Sequence, residues 1–211
     1  MGRIVIFGAG GRAGRAAVAE ARRRGHRVTA VVRDPRAHGG LATDGVRVVA
    51  GDVTDGDSVA RAAAGHDAAI SAVYDPAAPP ALFYTGAARA LLAGLGRAEV
   101  TRLLVVGLAS VLTTEGGTAL MDVPGYPQEY RTFYLAHAAG TEVLRTAAGG
   151  VDWLVVSPAG DFDHAGSRTG RYRPATADAA SLISYADLAV ALIDEIDTPR
   201  HHRTHLGVEA A

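Results

Sequence analysis

The stretch "RIVIFGAGGRAGRAAVAEARRRG", residues 3–25, decides the fold of this chain. It opens with a short β-branched run at residues 3–7 and passes through a glycine-rich turn at residues 8–14. A segment of helical composition follows and stops at Gly25. A strand, a tight loop and a helix in this order form the first half of a βαβ unit. The order predicts that a parallel sheet begins here.

Apolar runs alternate with helical segments along most of the remaining chain. The further runs that predict strands are residues 27–33, 46–50, 67–73, 101–107 and 152–157. The segments that predict helices are residues 56–64, 80–95, 129–148 and 184–196. Nearly continuous apolar strands indicate a parallel sheet that helices cover on both faces. We therefore predict an α/β, doubly wound (Rossmann) fold with strand order 3-2-1-4-5-6 in one domain, residues 1–211.

Three local features near the C-terminus add to this prediction. Residues 159–180 are too long and too polar for a minimal connection, so we expect a small excursion over the substrate side of the sheet. In the last helical segment, Ser184 is predicted to cap the helix, with Asp187 as the reciprocal partner of a capping box. His201, His202 and His205 have no Cys or carboxylate at a metal-binding spacing, so we expect an exposed tail there and no metal site.

The composition excludes several classes of chemistry. All 21 basic residues of the 211 are arginine, so no lysine can serve as an acid, a base or a Schiff-base amine. Cysteine is absent, which excludes disulfide and thiol chemistry. A formal net charge of -1 does not indicate nucleic-acid binding, and no apolar run is long enough for a membrane span. Because the first strand runs directly into the glycine loop, we expect no signal peptide and a soluble, cytoplasmic protein.

The glycine loop, "GAGGRAG" at residues 8–14, predicts a dinucleotide site. Gly8 allows the tight turn, Gly11 allows the backbone to approach a pyrophosphate, and Gly14 allows close packing of helix on strand. Gly10 and Ala13 give a second acceptable spacing, and the loop alone does not choose between the two. In either case the pyrophosphate would lie at the positive end of the helix.

The residues after the second strand bear on the phosphate preference of the cofactor. Arg33 suits the 2′-phosphate of NADP, and Arg12 in the loop could flank the same group. Asp34 would suit the ribose of NAD, but it precedes Pro35 and is held extended. NADPH is therefore favoured over NADH. The residues expected near the adenine, the ribose and the nicotinamide follow the third and fourth strands: Asp52, Val53, Ala72 and Val73.

Several motifs together resemble a known group of proteins. "GAGGRAGR", "VVRDP", "GDVTD", "AISAV" and "VVGLAS" are similar, in this order, to the atypical short-chain dehydrogenases with an NAD(P)H-binding, NmrA-like domain. "DWLVVSPAGDFDHAGSRTGRYR" and "SLISYADLAVALIDEIDTPRHHR" resemble the branch described as NADH-flavin reductases, which is related to the flavin reductase/biliverdin-IXβ reductase family. The resemblance implies NAD(P)H binding and hydride transfer to a flavin or a similar flat acceptor, with FMN or FAD as a possible substrate.

The candidate catalytic residues lack the amine of a standard short-chain reductase. Ser110 follows the fifth strand, where such enzymes place a serine, and Tyr134 follows it in the sequence. The position four residues beyond this tyrosine is Ala138, so no lysine lowers the pKa of the phenol. Tyr130, Tyr134 and His137 share a face if the helix begins at Pro127. They either line the substrate pocket, with His137 as a proton relay, or pack on the sheet edge.

Three functions remain compatible with the sequence. The first is an NAD(P)H-dependent reductase of a flavin-like or quinone-like planar acceptor, because such a ring delocalises charge and takes its proton from solvent. The second is an NmrA-like regulator that binds NAD(P) without turnover, and the third is a reductase or isomerase of a secondary metabolite. Arg168 in the excursion either binds the substrate or pairs within its own hairpin. The expected partner is a small molecule, and the chain is expected to be a monomer or homodimer.

Overall fold

The structure, a computed structural model, describes residues 1–211. Its strands are β1 (Arg3–Phe7), β2 (Arg27–Val32), β3 (Val46–Ala50), β4 (Ala68–Ser71), β5 (Arg102–Val106), β6 (Asp152–Pro158), β7 (Asp161–Asp163), β8 (Arg173–Pro174), β9 (Leu182–Ser184) and β10 (Thr204–Glu209). Its α-helices are α1 (Arg12–Arg23), α2 (Gly56–Ala63), α3 (Pro80–Arg97), α4 (Arg131–Thr146) and α5 (Tyr185–Asp197). None of these helices combines the length and the apolar character that crossing a membrane requires.

The main sheet has the order β3-β2-β1-β4-β5-β6-β10-β8. All neighbouring pairs from β3 to β10 are parallel, and only β8 runs antiparallel, against β10. The predicted order 3-2-1-4-5-6 is therefore confirmed. β7 and β9 form a separate two-stranded sheet within and after the predicted excursion.

Each central strand sends alternate side chains to two apolar cores, as a sheet covered on both faces requires. Ile4 and Ile6 of β1 enter the core beneath α1 and α5, whereas Val5 and Phe7 enter the core beneath α2, α3 and α4. Because helices cover both faces of the sheet, a ligand can bind at the edge where the parallel strands end.

The predicted exposed tail is wrong, because residues 204–209 form a strand inside the sheet. Leu206 and Val208 are buried against the core beneath α1 and α5. On the opposite face, Nε2 of His205 lies 2.7 Å from Oγ of Ser157 in β6. The segment "THLGVE" has only two apolar side chains, Leu206 and Val208, among three polar residues and a glycine, so the signal of a strand is weak in the sequence.

Two buried carboxylates hold the excursion onto the helices. Oγ of Ser184 accepts the backbone N–H of Asp187, so the predicted cap is present. The reciprocal contact is not, because the Asp187 carboxylate instead accepts the backbone N–H groups of Thr169 and Gly170 and the Thr169 hydroxyl. Arg168 forms two hydrogen bonds to Glu20 on α1, so its ion pair joins the excursion to the helix and does not lie within its own hairpin.

Glu20 is expected to stabilise the fold strongly above pH 4.5. Its side chain is 2% exposed and accepts hydrogen bonds from three arginines, which hold its pKa far below the usual carboxyl value. Glu20→Gln should therefore lower the free energy of unfolding by about 2 kcal/mol at pH 7. Urea denaturation followed by circular dichroism measures this loss.

The effect has a defined pH dependence. A carboxyl whose pKa is lowered on folding stabilises the protein above its unfolded pKa, and this stabilisation is lost as the pH falls through the folded value. The difference between wild type and Glu20→Gln should therefore shrink as the pH falls below about 4.5. The matched control is Glu142→Gln, which removes an exposed pair with Arg145 and should change stability little. Equal losses in the two variants would contradict the prediction.

Candidate functional site

A cleft of about 600 Å³ lies at the carboxyl ends of β1 to β4. This volume is in the range of small-molecule sites. Its wall begins at Phe7 and the glycine loop, continues over the ends of β2 and β3, and closes with the segment between β4 and α3. The lining residues are Phe7, Gly8, Gly10, Gly11, Val31–Arg33, His38, Gly51–Thr54, Ala72–Asp75, Ala78, Pro79, Leu82 and Phe83.

The glycine loop has the geometry of a backbone cradle. Gly8 has a φ of +76°, and a β-carbon there would lie 2.3 Å from the carbonyl oxygen of Ala72. A β-carbon on Gly14 would lie 2.1 Å from the carbonyl oxygen of Gly8, so only glycine allows α1 to pack this closely on β1. Gly11 is the N-cap of α1 and provides no capping side chain. The first-turn N–H groups of α1 are therefore available to an anion at the cleft.

The structure brings most of the predicted cofactor residues together. Eight of the eleven line the cleft: Gly8, Gly10, Gly11, Arg33, Asp52, Val53, Ala72 and Val73. The other three, Arg12, Ala13 and Gly14, form the first turn of α1. Six further cleft residues were not predicted; they lie three to six positions beyond the strand ends or in the first turn of α3, and are His38, Thr54, Tyr74, Asp75, Leu82 and Phe83. In the sequence, only their position shortly after the motif residues indicated that they lie near the cofactor site.

Arg33 and Asp34 face different surroundings. The Arg33 guanidinium lines the cleft and pairs with the Asp75 carboxylate at 2.5 Å. The Arg33 side chain is 70% exposed and that of Asp75 is 14% exposed, so an anion in the cleft can reach the guanidinium. The Asp34 carboxylate accepts the backbone N–H and the Nε–H of Arg36 and caps the following 3₁₀ turn. It is thereby held outside the cleft lining.

One histidine of the excursion, His164, contacts the glycine loop. The Arg12 guanidinium and the Tyr185 hydroxyl lie 2.8 and 3.2 Å from Nδ1 of His164. Phe162 stacks on Tyr185 with ring centroids 4.0 Å apart. Arg12 thus contacts the excursion, whereas Arg33 contacts the segment after β4, so the two predicted phosphate ligands have different neighbours.

Ser110 is completely buried in a short 3₁₀ turn after β5. Its neighbours Ala109 and Leu112 belong to a small apolar cluster. The Ser110 hydroxyl has no hydrogen-bond partner within the protein. A buried hydroxyl without a partner is destabilising. Ser110 is not among the residues that line the cleft.

Tyr134 lies in an aromatic group at the start of α4. Its ring centroid is 5.4 Å from that of Tyr126 and 6.4 Å from that of Tyr130. Burial is the main cause that raises the pKa of Tyr134, and the Glu129 charge adds to it. Tyr130 is 58% exposed and precedes the helix, which begins at Arg131 and not at the predicted residue 129.

His137 belongs to a different environment from Tyr134. Its ring packs on Tyr84 of α3, with centroids 3.8 Å apart, and on Phe133, with centroids 4.8 Å apart. Burial, with a smaller contribution from His205, lowers the pKa of His137 to about 4, so the imidazole is neutral at pH 7. It lines a small, mainly apolar cavity between α3, α4 and the sheet, and Val73 is the residue that this cavity shares with the cleft.

Comparisons with known proteins cover nearly the whole chain. The sequence pattern of the NAD(P)H-binding family matches residues 8–199. The uncharacterized protein YwnB of Bacillus subtilis strain 168 is 36% identical over 214 residues, which cover 98% of this chain and 97% of YwnB. Residues 8–199 include the glycine loop and every residue of the cleft wall after Phe7.

Two solved structures have nearly the same fold over their whole length. A candidate NADH-flavin reductase from Streptococcus pneumoniae is 30% identical with a TM-score of 0.85, over 100% of both chains. A candidate epimerase from Bacteroides thetaiotaomicron is 32% identical with a TM-score of 0.85, over 99% of this chain and 96% of that one. The family match and the full-length similarity to YwnB show that this chain belongs to the NAD(P)H-binding family.

Proposed function

We propose that the chain is an NADPH-dependent reductase that transfers hydride to a flavin-like or quinone-like planar acceptor. The observation that supports this proposal best is a combination of two features. The glycine loop forms a backbone cradle, and the site lacks a general acid with a lowered pKa. The cradle of Gly8, Gly11 and Gly14 fits a dinucleotide pyrophosphate, because a β-carbon on Gly8 or Gly14 would collide with the backbone that shapes the loop. NADPH, when bound, supplies the hydride.

The side chains near the cleft do not favour reduction of an isolated ketone. That reaction needs an acid that protonates an alkoxide, and enzymes lower the pKa of a tyrosine for the purpose. Here burial raises the pKa of Tyr134, and His137 is neutral inside an apolar cavity. A planar conjugated acceptor does not need this acid, since its heteroatoms spread the charge and take a proton from solvent. The protein then contributes mainly orientation.

The cleft offers surfaces that suit a flat ring. Tyr74 and Leu82 line it and are 63% and 73% exposed, so apolar surface faces the ligand space. The Tyr74 ring is held edge-on by Phe133, with centroids 5.9 Å apart. Ser110 follows the adjacent strand β5, but its hydroxyl is fully buried and outside the cleft lining, so we assign it no contact with the acceptor. We assign Tyr74 and Leu82 to apolar packing against the acceptor ring and Tyr134 to the neighbouring wall.

The proposal of NADPH over NADH rests on the arrangement around Arg33. Its guanidinium lines the cleft, and the carboxylate that would bind the ribose of NAD, Asp34, is occupied by Arg36. Asp75 competes for Arg33, so the 2′-phosphate has to displace an exposed ion pair, which contributes little stability by itself. The name of the Streptococcus pneumoniae relative refers to NADH, so the Kd values of both cofactors are compared for this chain.

NADPH oxidation with FMN or a benzoquinone tests the activity directly. Wild type should oxidise NADPH well above the rate without enzyme in stopped-flow mixing. Gly11→Asp should abolish this activity without unfolding the protein, because aspartate is a good N-cap at a φ of -76° and its carboxylate repels the pyrophosphate. Gly11→Ser is the matched control without the charge. Tight NADPH binding with no oxidation of any acceptor would instead indicate a regulator.

Replacement of the tyrosine hydroxyl tests the proton source. Tyr134→Phe should leave kcat for the planar acceptor within about threefold of wild type, because the hydroxyl is not the acid in this proposal. A fall of about 100-fold or more would show that Tyr134 is a general acid and would favour a carbonyl-type reaction. Tyr126→Phe, which removes the neighbouring hydroxyl, is the matched control.

Arg33 is expected to discriminate between the two cofactors. Arg33→Gln should raise the Kd of NADPH about tenfold or more, since a charge-assisted hydrogen bond is lost, and should change the Kd of NADH little. Asp75→Asn should tighten NADPH binding by freeing the guanidinium. The control is Arg61→Gln, which removes an exposed, aspartate-paired arginine on α2. Equal changes in the Kd of NADPH and NADH would contradict this assignment.

A further inference from the structure

A second concave surface lies at the opposite edge of the sheet, where β1, β2 and β3 begin. We call it the basic groove and define it by Arg3, Arg27, Thr29, Arg47 and His66. It encloses about 590 Å³, and three of its eleven lining residues are hydrophobic. Strands of about five residues separate it from the cofactor cleft by roughly 17 Å. The basic groove is therefore distinct from the cleft, although both lie on the same three strands.

Strand register places the three guanidinium groups on one side of the sheet. Arg3 is the Cα partner of Arg27, and Thr29 is the partner of Arg47. Arg27 and Thr29 are two residues apart in β2, so their side chains share the face that α2 and α3 cover further along. α2 ends at Ala63 and leaves the beginnings of these strands uncovered.

The charges in the basic groove are not neutralised by the protein. None of Arg3, Arg27 and Arg47 forms an ion pair, and Arg47 makes only a long hydrogen bond of 3.5 Å, to the Thr29 hydroxyl. The Asp67 carboxylate accepts the backbone N–H of Arg3 at 2.7 Å, and Asp44 lines the rim without pairing to these arginines. Like charges on directly paired residues destabilise a sheet. A bound anion would remove this repulsion.

The floor of the basic groove is fixed and adds no positive charge. Nδ1 of His66 lies 3.1 and 3.2 Å from the carbonyl oxygens of Ala63 and Ala64, and its Nε2 lies 2.8 Å from the Thr29 hydroxyl. Carbonyl oxygens only accept hydrogen bonds, so Nδ1 carries the proton and the hydroxyl donates to Nε2. Burial lowers the pKa of His66, and the charges of Arg47 and Arg3 lower it further.

We propose that the basic groove binds a small molecule with two or more phosphate groups, separately from the cofactor. Guanidinium groups bind phosphate oxygens in a bidentate manner, and three of them match the charge of a diphosphate. The volume suits a small phosphorylated molecule, whereas the polar lining does not suit an apolar ligand. A long nucleic acid would need an extended basic stripe, which a formal net charge of -1 and this short cluster do not provide.

Inorganic pyrophosphate is the probe that tests the basic groove. The titration is done on Gly11→Asp, whose carboxylate keeps the anion out of the glycine loop, and is followed by the NMR signals of His66 and Thr29. Saturable binding with a Kd at or below about 1 mM is expected. The pKa of His66 should rise in the complex, because the bound anion offsets the charges of Arg3 and Arg47.

Single substitutions separate a specific site from general attraction to a basic surface. Arg27→Gln and Arg47→Gln should each weaken binding about tenfold, whereas Arg89→Gln on α3, an exposed arginine outside the basic groove, should leave it unchanged. Equal effects of the three substitutions would overturn the proposal. So would unmoved His66 and Thr29 signals at about 10 mM pyrophosphate. Neither outcome depends on whether the cleft catalyses NADPH oxidation.

Discussion

The close contact between Gly14 and Gly8 is the constraint on which the rest of the structure depends. A β-carbon at Gly14 would lie 2.1 Å from the Gly8 carbonyl oxygen, so any other residue would push α1 away from β1. This contact aims the uncapped first turn of α1 at the cleft that β1 to β4 open. The positive end of the helix, the backbone cradle and the sheet edge therefore meet at one point because two residues lack side chains.

Most of the central sheet could be predicted from the sequence because its strands are apolar on both faces. Runs such as residues 46–50 and 152–157 are recognisable as buried strands whichever neighbours they have, and the strand order then follows from the doubly wound fold. The glycine loop could also be predicted from local chemistry. The residues predicted to bind the cofactor after the strand ends do line the cleft. Features that depend on one strand, one turn or one cap are thus accessible without tertiary information.

The remaining features depend on partners that are distant in the sequence. Strand β10 forms because β6 offers its edge, and residues 204–209 alone contain only two apolar side chains, too few to indicate a strand. Asp187 looks like a capping residue by spacing, but the excursion offers it three donors. Helical spacing places Tyr134 and His137 near one another, yet packing against Tyr84 of α3 draws His137 into a separate cavity.

The absence of lysine gives the arginines of this chain two separate uses. A guanidinium cannot lose its proton at ordinary pH, so it cannot act as a tunable acid, but it binds oxyanions through fixed forked geometry. Where a carboxylate is near, as at Glu20 and Asp75, the arginine ties segments together across the fold. Where none is paired, as at Arg47, the charge is left for a ligand. Such arginines position anions but cannot donate a proton at ordinary pH, which agrees with the proposed acceptor that takes its proton from solvent.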